Sequence, residues 1–186
     1  VDLSNLQRQI LHTESRIGQS KTRSAAEALH TVNPECEVNL LPRLEGNALI
    51  EAVAQADVVL DCSDNFATRY ALNRACLKTQ TPLVSGAAIK LTGQLFVMDP
   101  RRADAPCYAC IYPEDAADDE LRCATTGILA PITGVIGCMQ AVEAIKLLAG
   151  FGRPAAGLLQ RYDALSGIWS SARVQHDPAC PACNVR

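Results

Sequence analysis

Apolar positions along the chain follow two rhythms. Short runs rich in β-branched and small residues, DVVLDC at 57–62, PLVSGAAI at 82–89 and GQLFVM at 93–98, have the length of buried strands. EVNLLPRL at 37–44 reads as a further strand, with Pro42 making its end an edge or a bend. Between these runs the spacing is helical. Ala25, Ala26, Leu29 and Val32 fall on one side until Asn33-Pro34 stops the pattern. A short helix is predicted around Leu49 to Ala54, and a longer one from about Ala67 to Lys78. From about Leu129 the chain turns helical again, with Val135, Cys138, Met139, Val142 and Ile145 on one side and Gly150 as C-cap. GLLQRYDA and GIWSSARV, joined at Ser166-Gly167, predict a terminal hairpin. Strands alternating with helices predict an α/β fold with a mostly parallel sheet covered on both faces, GQLFVM running in another direction or layer. Residues 100–126 show no sustained period and read as a loop.

Composition narrows the class. At 186 residues, 48% apolar and 20% charged, the chain is long enough for a sizeable core and ordinary among globular proteins. No uninterrupted apolar run reaches the roughly 18 residues of a spanning helix, and the first residues lack a signal-peptide layout, so no membrane is expected and the cytoplasm is the expected compartment. Seventeen basic against twenty acidic residues give a net charge of −3 with no long run of either sign. A nucleic-acid backbone is therefore not an expected partner. Nine cysteines in a chain without a secretion signal point to metal ligands or reactive thiols rather than disulfides.

The chemistry-bearing residues fall at three places. DVVLDC ends in Asp61-Cys62, with Asp64, Asn65 and Arg69 just beyond, where ligands bind in open α/β sheets. Asp64 or Asn65 could simply cap the next helix; two carboxylates beside a phosphate site instead suggest Mg²⁺. Arg8, Arg16, Lys21 and Arg23 gather in the opening phrase, either as anion-binding groups or as a solvated helix face. Neither G-x-G-x-x-G nor G-x-x-x-x-G-K-[ST] is present, so a nucleotide site made of these residues alone is incomplete. Cys107-Tyr-Ala-Cys110 and Cys180-Pro-Ala-Cys183 form two C-x-x-C pairs, the donor set of a closed Zn²⁺ site joining distant loops; redox or unrelated buried thiols are the alternatives, and His176 is a less suitable substitute ligand. Cys36, Cys62, Cys76 and Cys138 read as core. Cys123, in the polar LRCATTG, stands outside both pairs, near a helix start that could favour its thiolate.

LSNLQRQ, GQSKT, VVLDCSDN with Arg69, PLVSGAA, CYAC, APITGVIGCMQAVEAIKLL and the final CPAC occur together and in order. In this the chain resembles the MoeB/ThiF/HesA group, bacterial relatives of ubiquitin-activating enzymes, over essentially its whole length. The resemblance implies a Rossmann-like fold with a crossover loop, and an ATP-dependent adenylyltransferase activating the C-terminal glycine of a ubiquitin-like sulfur-carrier protein, for molybdenum cofactor or thiamine biosynthesis. It implies phosphate binding by Arg8 and Lys21 flanked by Asn5 and Gln9, Mg²⁺ held by Asp64 with Asn65 beside it, and zinc on Cys107, Cys110, Cys180 and Cys183. Cys123 matches the crossover-loop cysteine that in some members carries a sulfur-linked or thioester intermediate. A homodimer and a sulfur-donor protein are the further partners implied.

Members of that group carry a strand, a glycine-rich turn and a ribose-binding acidic residue ahead of the phrase corresponding to Val1. Residues 1–186 are therefore expected to form one ThiF/MoeB-type domain that is N-terminally incomplete and, by itself, inactive. The alternative is a zinc-stabilised fragment that binds the carrier without adenylating it. A nicotinamide-dependent oxidoreductase and a zinc-ribbon nucleic-acid binder are weaker rivals, lacking a cofactor fingerprint and basic, aromatic-rich surface respectively.

Overall fold

Ser20 opens the first helix, α1 (Lys21–Val32), by accepting the Arg23 N–H on its side chain, and Asn33 closes it ahead of Pro34. The computed structural model describes residues 1–114 and 127–184. It divides into two units, Val1–Leu44 and Glu45–Arg186. In the first, 3₁₀ turns at Leu3–Asn5 and Glu14–Arg16 precede α1. Residues 37–44 form no strand, contrary to the sequence pattern: Pro42 has no N–H to give a ladder, and Leu40 and Leu41 stay exposed.

The second unit begins with α2 (Gly46–Ala54), followed by β1 (Val59–Asp61), α3 (Phe66–Thr79), β2 (Leu83–Ile89), β3 (Thr92–Met98), α4 (Ala130–Ala149), β4 (Leu158–Asp163) and β5 (Ile168–Arg173). These five strands make one sheet in the order β1-β2-β3-β4-β5. β1 and β2 pair in parallel because α3 carries the chain back between them. β3 follows β2 through a tight turn, in which Lys90 takes a left-handed φ of 52°, and so runs antiparallel; β4 and β5 extend the antiparallel part as the terminal hairpin. The sheet is mixed: of its paired strands β1 and β2 run parallel and the remaining neighbours antiparallel.

Period-two alternation sends successive side chains to opposite layers. Leu83, Phe96 and Met98 join Val53, Tyr70, Ala75, Cys76 and Leu77 of α2 and α3 on one face. Val84, Leu95 and Val97 meet Met139 and Leu147 of α4 on the other. α4 does not bury the stripe its apolar spacing suggests. Ile132, Ile136, Gln140, Glu143 and Ala144 face inward, while Val135, Cys138, Val142 and Ile145 are exposed and Met139 is half-buried. Two hydrogen-bonded polar residues fix this rotation. Gln140 Nε2 donates to the carbonyls of Asp61 (2.9 Å) and Val84 (3.0 Å), and Glu143 Oε2 accepts the Ala155 N–H (2.7 Å) while Oε1 pairs with Lys146 Nζ (2.7 Å). By length and composition α4 is apolar enough to cross a membrane, but here it packs on β2 and β3.

Gly86 lets α4 come this close to the sheet. A Cβ at Gly86 would lie 2.4 Å from the Gln140 Cδ and Oε1, and Gln140 cannot yield without releasing two carbonyls. Gly86→Ala is expected to cost about 1–3 kcal/mol, the usual range for overpacking, in denaturant unfolding. In a Gln140→Ala background the same substitution should cost distinctly less; equal costs in the two backgrounds would contradict the contact.

Candidate functional site

β1 ends in a carboxylate withdrawn from water. Asp61 is 1% exposed, and Arg69, one helical turn into α3, is 6% exposed. Arg69 Nη1 donates to Asp61 Oδ2 (3.2 Å) and Ser85 Oγ (3.0 Å), while its Nη2 donates to the carbonyls of Gly86 (3.1 Å) and Ser63. Asp61 Oδ1 accepts from the Ser63 N–H (3.0 Å) and Oγ (2.6 Å), and Oδ2 also accepts from Ser85 Oγ (2.8 Å). Both carboxylate oxygens and both terminal nitrogens of the guanidinium are thus engaged. A buried ion pair is tolerated only when its remaining hydrogen-bonding capacity is satisfied in this way.

The two aspartates of the strand end consequently have different settings. Asp61 is committed to Arg69 and the serines and is not at the surface as half of a carboxylate pair. Asp64 is exposed. Capping of α3 falls to Asn65, whose Oδ1 accepts the Thr68 N–H at 2.8 Å. Asp64 is relieved of that structural task and presents a carboxylate beyond the carboxyl end of β1, at the start of α3, with Asn65 Nδ2 3.4 Å from its Oδ1. Cys62, between them, is not a core residue. Its sulfur turns in to Gln140 Oε1 (3.5 Å), and burial of that sulfur, then the Asp61 carboxylate, push the thiol up, away from nucleophilic character.

The four cysteines of the C-x-x-C pairs converge. Cys107 and Cys110 lie on the 3₁₀ turn before Ile111; Cys180 and Cys183 lie on a turn opened by Asp177, whose carboxylate accepts the Ala179 N–H (2.8 Å). The sulfurs all lie within 4.8 Å of one another, with separations of 3.7 Å (Cys107–Cys180), 3.9 Å (Cys107–Cys110) and 3.5 Å (Cys110–Cys183). A tetrahedral ZnS₄ centre with Zn–S near 2.3 Å has sulfur–sulfur edges of about 3.8 Å. Disulfides would need sulfurs about 2 Å apart. His176 is outside the group. Burial pushes the Cys107 thiol up to about 12. Burial also works to raise Cys180, but the N–H groups of Cys183 and Ala182 outweigh it and hold that thiol below its ordinary value. Of the other cysteines expected in the core, only Cys76 is buried; Cys36, Cys62 and Cys138 are exposed because they fall on a surface turn, the strand-end loop and the outer side of α4.

In residues 1–44, Asn5 is buried, its Oδ1 accepting the Asp2 N–H (3.3 Å) and its carbonyl accepting from Arg8 and Gln9. Arg8 Nη1 donates to the Ser4 carbonyl (2.8 Å). Gln9 Oε1 is buried without a hydrogen-bond partner among the described residues. Arg16 and Arg23 share Glu27 (3.5 and 3.4 Å), whereas Lys21, exposed on the first turn of α1, has no ion-pair partner among the described residues. Asn5, Arg8, Gln9 and Lys21 belong to one unit, Asp64, Asn65 and the four cysteines to the other. Cys123 lies outside the described residues. The roles of Arg69, Ser85, Asn73, Gln140 and Glu143 were not assigned from sequence. Their one signal is a polar side chain at a position of an apolar helix or strand where the neighbouring turns are buried.

An α/β fold of this kind is found in Escherichia coli MccB. The chain matches a crystal structure of MccB with ATP at a TM-score of 0.81 and 20% identity, over 99% of this chain and 57% of that one, which establishes a shared fold. The chain belongs to the ThiF family, whose description matches residues 1–182. It is 43% identical to the E. coli molybdopterin-synthase adenylyltransferase, over 98% of this chain and 73% of that protein. It is 45% identical to the E. coli sulfur carrier protein ThiS adenylyltransferase, over 98% and 72% respectively. The adenylyltransferase and sulfurtransferase MOCS3 of Drosophila yakuba is 45% identical over the whole chain, which spans 41% of that longer protein.

Arg69→Ala leaves Asp61 buried without its cation and is expected to cost about 3–5 kcal/mol in chemical denaturation. A loss below about 1 kcal/mol, typical of an exposed pair, would show that this interaction does not organise the strand end.

Proposed function

We propose that this protein acts as an ATP-dependent adenylyltransferase that activates the C-terminal glycine of a ubiquitin-like sulfur-carrier protein, of the molybdopterin-synthase small-subunit or ThiS type, for molybdenum cofactor or thiamine biosynthesis. The observation that carries this reading is Asp64, exposed past the end of β1 and freed from capping, in a chain 43–45% identical to adenylyltransferases of both carrier types. In the reaction a carrier carboxylate oxygen forms a bond to the α-phosphorus of ATP, the bond from that phosphorus to the bridging oxygen breaks, and pyrophosphate leaves. Anionic carboxylate and anionic phosphate repel, so the site must supply compensating charge.

Asp64 is the proposed Mg²⁺ ligand, with Asn65 beside it; Mg²⁺ supplies charge neutralisation at the phosphates. Arg8 and Lys21 are the proposed phosphate-binding cations, flanked by Asn5 and Gln9. Cys107, Cys110, Cys180 and Cys183 hold Zn²⁺. Four thiolates close its coordination shell, so the zinc is structural, tying two loops far apart in sequence. Cys123 is assigned, on resemblance, to the later sulfur-handling step rather than to adenylation, which needs cations and not a thiol. A cytoplasmic homodimer served by a sulfur-donor protein completes the reading.

In the intact natural protein, Asp64→Asn and Arg8→Ala should each lower carrier-dependent ATP–pyrophosphate exchange by about a hundredfold or more, with circular dichroism and metal content unchanged. Near-normal exchange in either variant would show the site to be misplaced. Metal analysis should give one zinc per chain, and Cys180→Ser should lower both zinc content and melting temperature. An equally stable, metal-free variant would contradict a structural zinc.

A further inference from the structure

Asn73, on α3 one turn beyond Arg69, is fully buried. Its Oδ1 accepts the Tyr108 N–H at 2.9 Å, inside the Cys107–Cys110 turn. Because a backbone N–H can only donate, this bond fixes which end of the amide faces the turn. The other end, Nδ2, is buried with no hydrogen-bond partner among the described residues. A buried orphan donor is costly, about 1–3 kcal/mol, and native proteins seldom keep one without use. The bond to the Tyr108 N–H holds this amide beside the preceding residue, Cys107, which is itself fully buried. A neutral thiol is a weak acceptor, whereas a metal-bound thiolate carries charge and accepts N–H groups well.

Within its own turn Cys107 receives the Cys110 N–H and returns its own N–H to the Cys110 sulfur at 3.5 Å, and the orphan amide of Asn73 is held against that same turn.

We propose that Asn73 is a positioning residue of the metal centre, its Nδ2–H donating to the Cys107 sulfur once that sulfur is a metal-bound thiolate. The inference rests on the metal reading of the four cysteines. One amide then does two things: its oxygen sets the Cys107–Cys110 turn, and its nitrogen balances the charge of the first ligand in that turn. Partners of this kind outside the ligand shell change metal affinity by about 10–100-fold.

The test uses the unmutated chain loaded with an NMR-active cadmium isotope. Scalar coupling between the metal and amide protons reports N–H···S bonds to the bound sulfurs. Coupling is expected at the Cys107 and Cys110 backbone amides and also at the Asn73 side-chain amide. Coupling at the backbone amides without any at Asn73 would overturn the proposal while leaving the metal reading intact. Failure to bind cadmium would sink the metal reading, and the proposal with it. Asn73→Ala should weaken zinc binding about tenfold or more and move the thiolate-to-cobalt charge-transfer band of the Co²⁺ form to longer wavelength, since an unbonded thiolate is more easily oxidised. An unmoved band in a folded, cobalt-loaded variant would count against a bond to sulfur. Should that variant fail to fold, the coupling measurement decides alone.

Discussion

Taking Arg69 and Asp61 out of water is the constraint around which the strand end is built. Each ion loses hydration worth several kcal/mol, and the pair is tolerable only because Ser63, Ser85 and two carbonyls complete its hydrogen bonding. Satisfying the pair fixes the start of α3 against β1 and β2. It also ties the 61–65 loop down from within, since Asp61 holds Ser63 and Arg69 holds the Ser63 carbonyl. Asn65 then caps α3, and Asp64 is the acidic residue left at the surface. The polarity of the loop follows from the burial of its neighbours.

α3 carries this organisation from one chemical centre to the other. Arg69 and Asn73 lie one turn apart on its buried side, the first gripping the strand end and the second the Cys107–Cys110 turn. Aromatic rings fill the space between: Tyr70 meets Tyr108 edge-on at 5.8 Å, Tyr108 lies 5.2 Å from Tyr112, and the Arg69 guanidinium sits 5.9 Å above the Tyr108 ring. On the opposite layer Gln140 repeats the device, supporting the Asp61 and Val84 carbonyls from α4. A metal tie between the cysteine loops would thus stiffen the surroundings of α3 and, through it, the segment presenting Asp64.

Local signals in the sequence locate α1, α2, α3, α4 and the terminal hairpin, because caps, prolines and glycine turns act on a few neighbouring residues. The cysteine centre is legible for a related reason: C-x-x-C spacing is itself a geometric statement. Two readings failed where long-range packing decides. EVNLLPRL has strand composition but no ladder among the described residues. The apolar spacing of Val135, Val142 and Ile145 gives the wrong face of α4, since Gln140 and Glu143 are drawn inward by partners that only the folded chain supplies. The same blindness hid Asn73, a polar residue at a core position. Asp64 was visible as a candidate, yet only the capping by Asn65 separates it from a structural role.

The central claim is that the charged end of β1 serves nucleotidyl transfer to a carboxylate. It is tested most directly by following labelled pyrophosphate into ATP with the intact natural protein, Mg²⁺ and a sulfur carrier whose C-terminal glycine is either free or converted to an amide. Exchange with the free carboxylate and none with the amide is the expected result. Equal exchange with both, or none with either from a folded, zinc-loaded protein, would contradict the account.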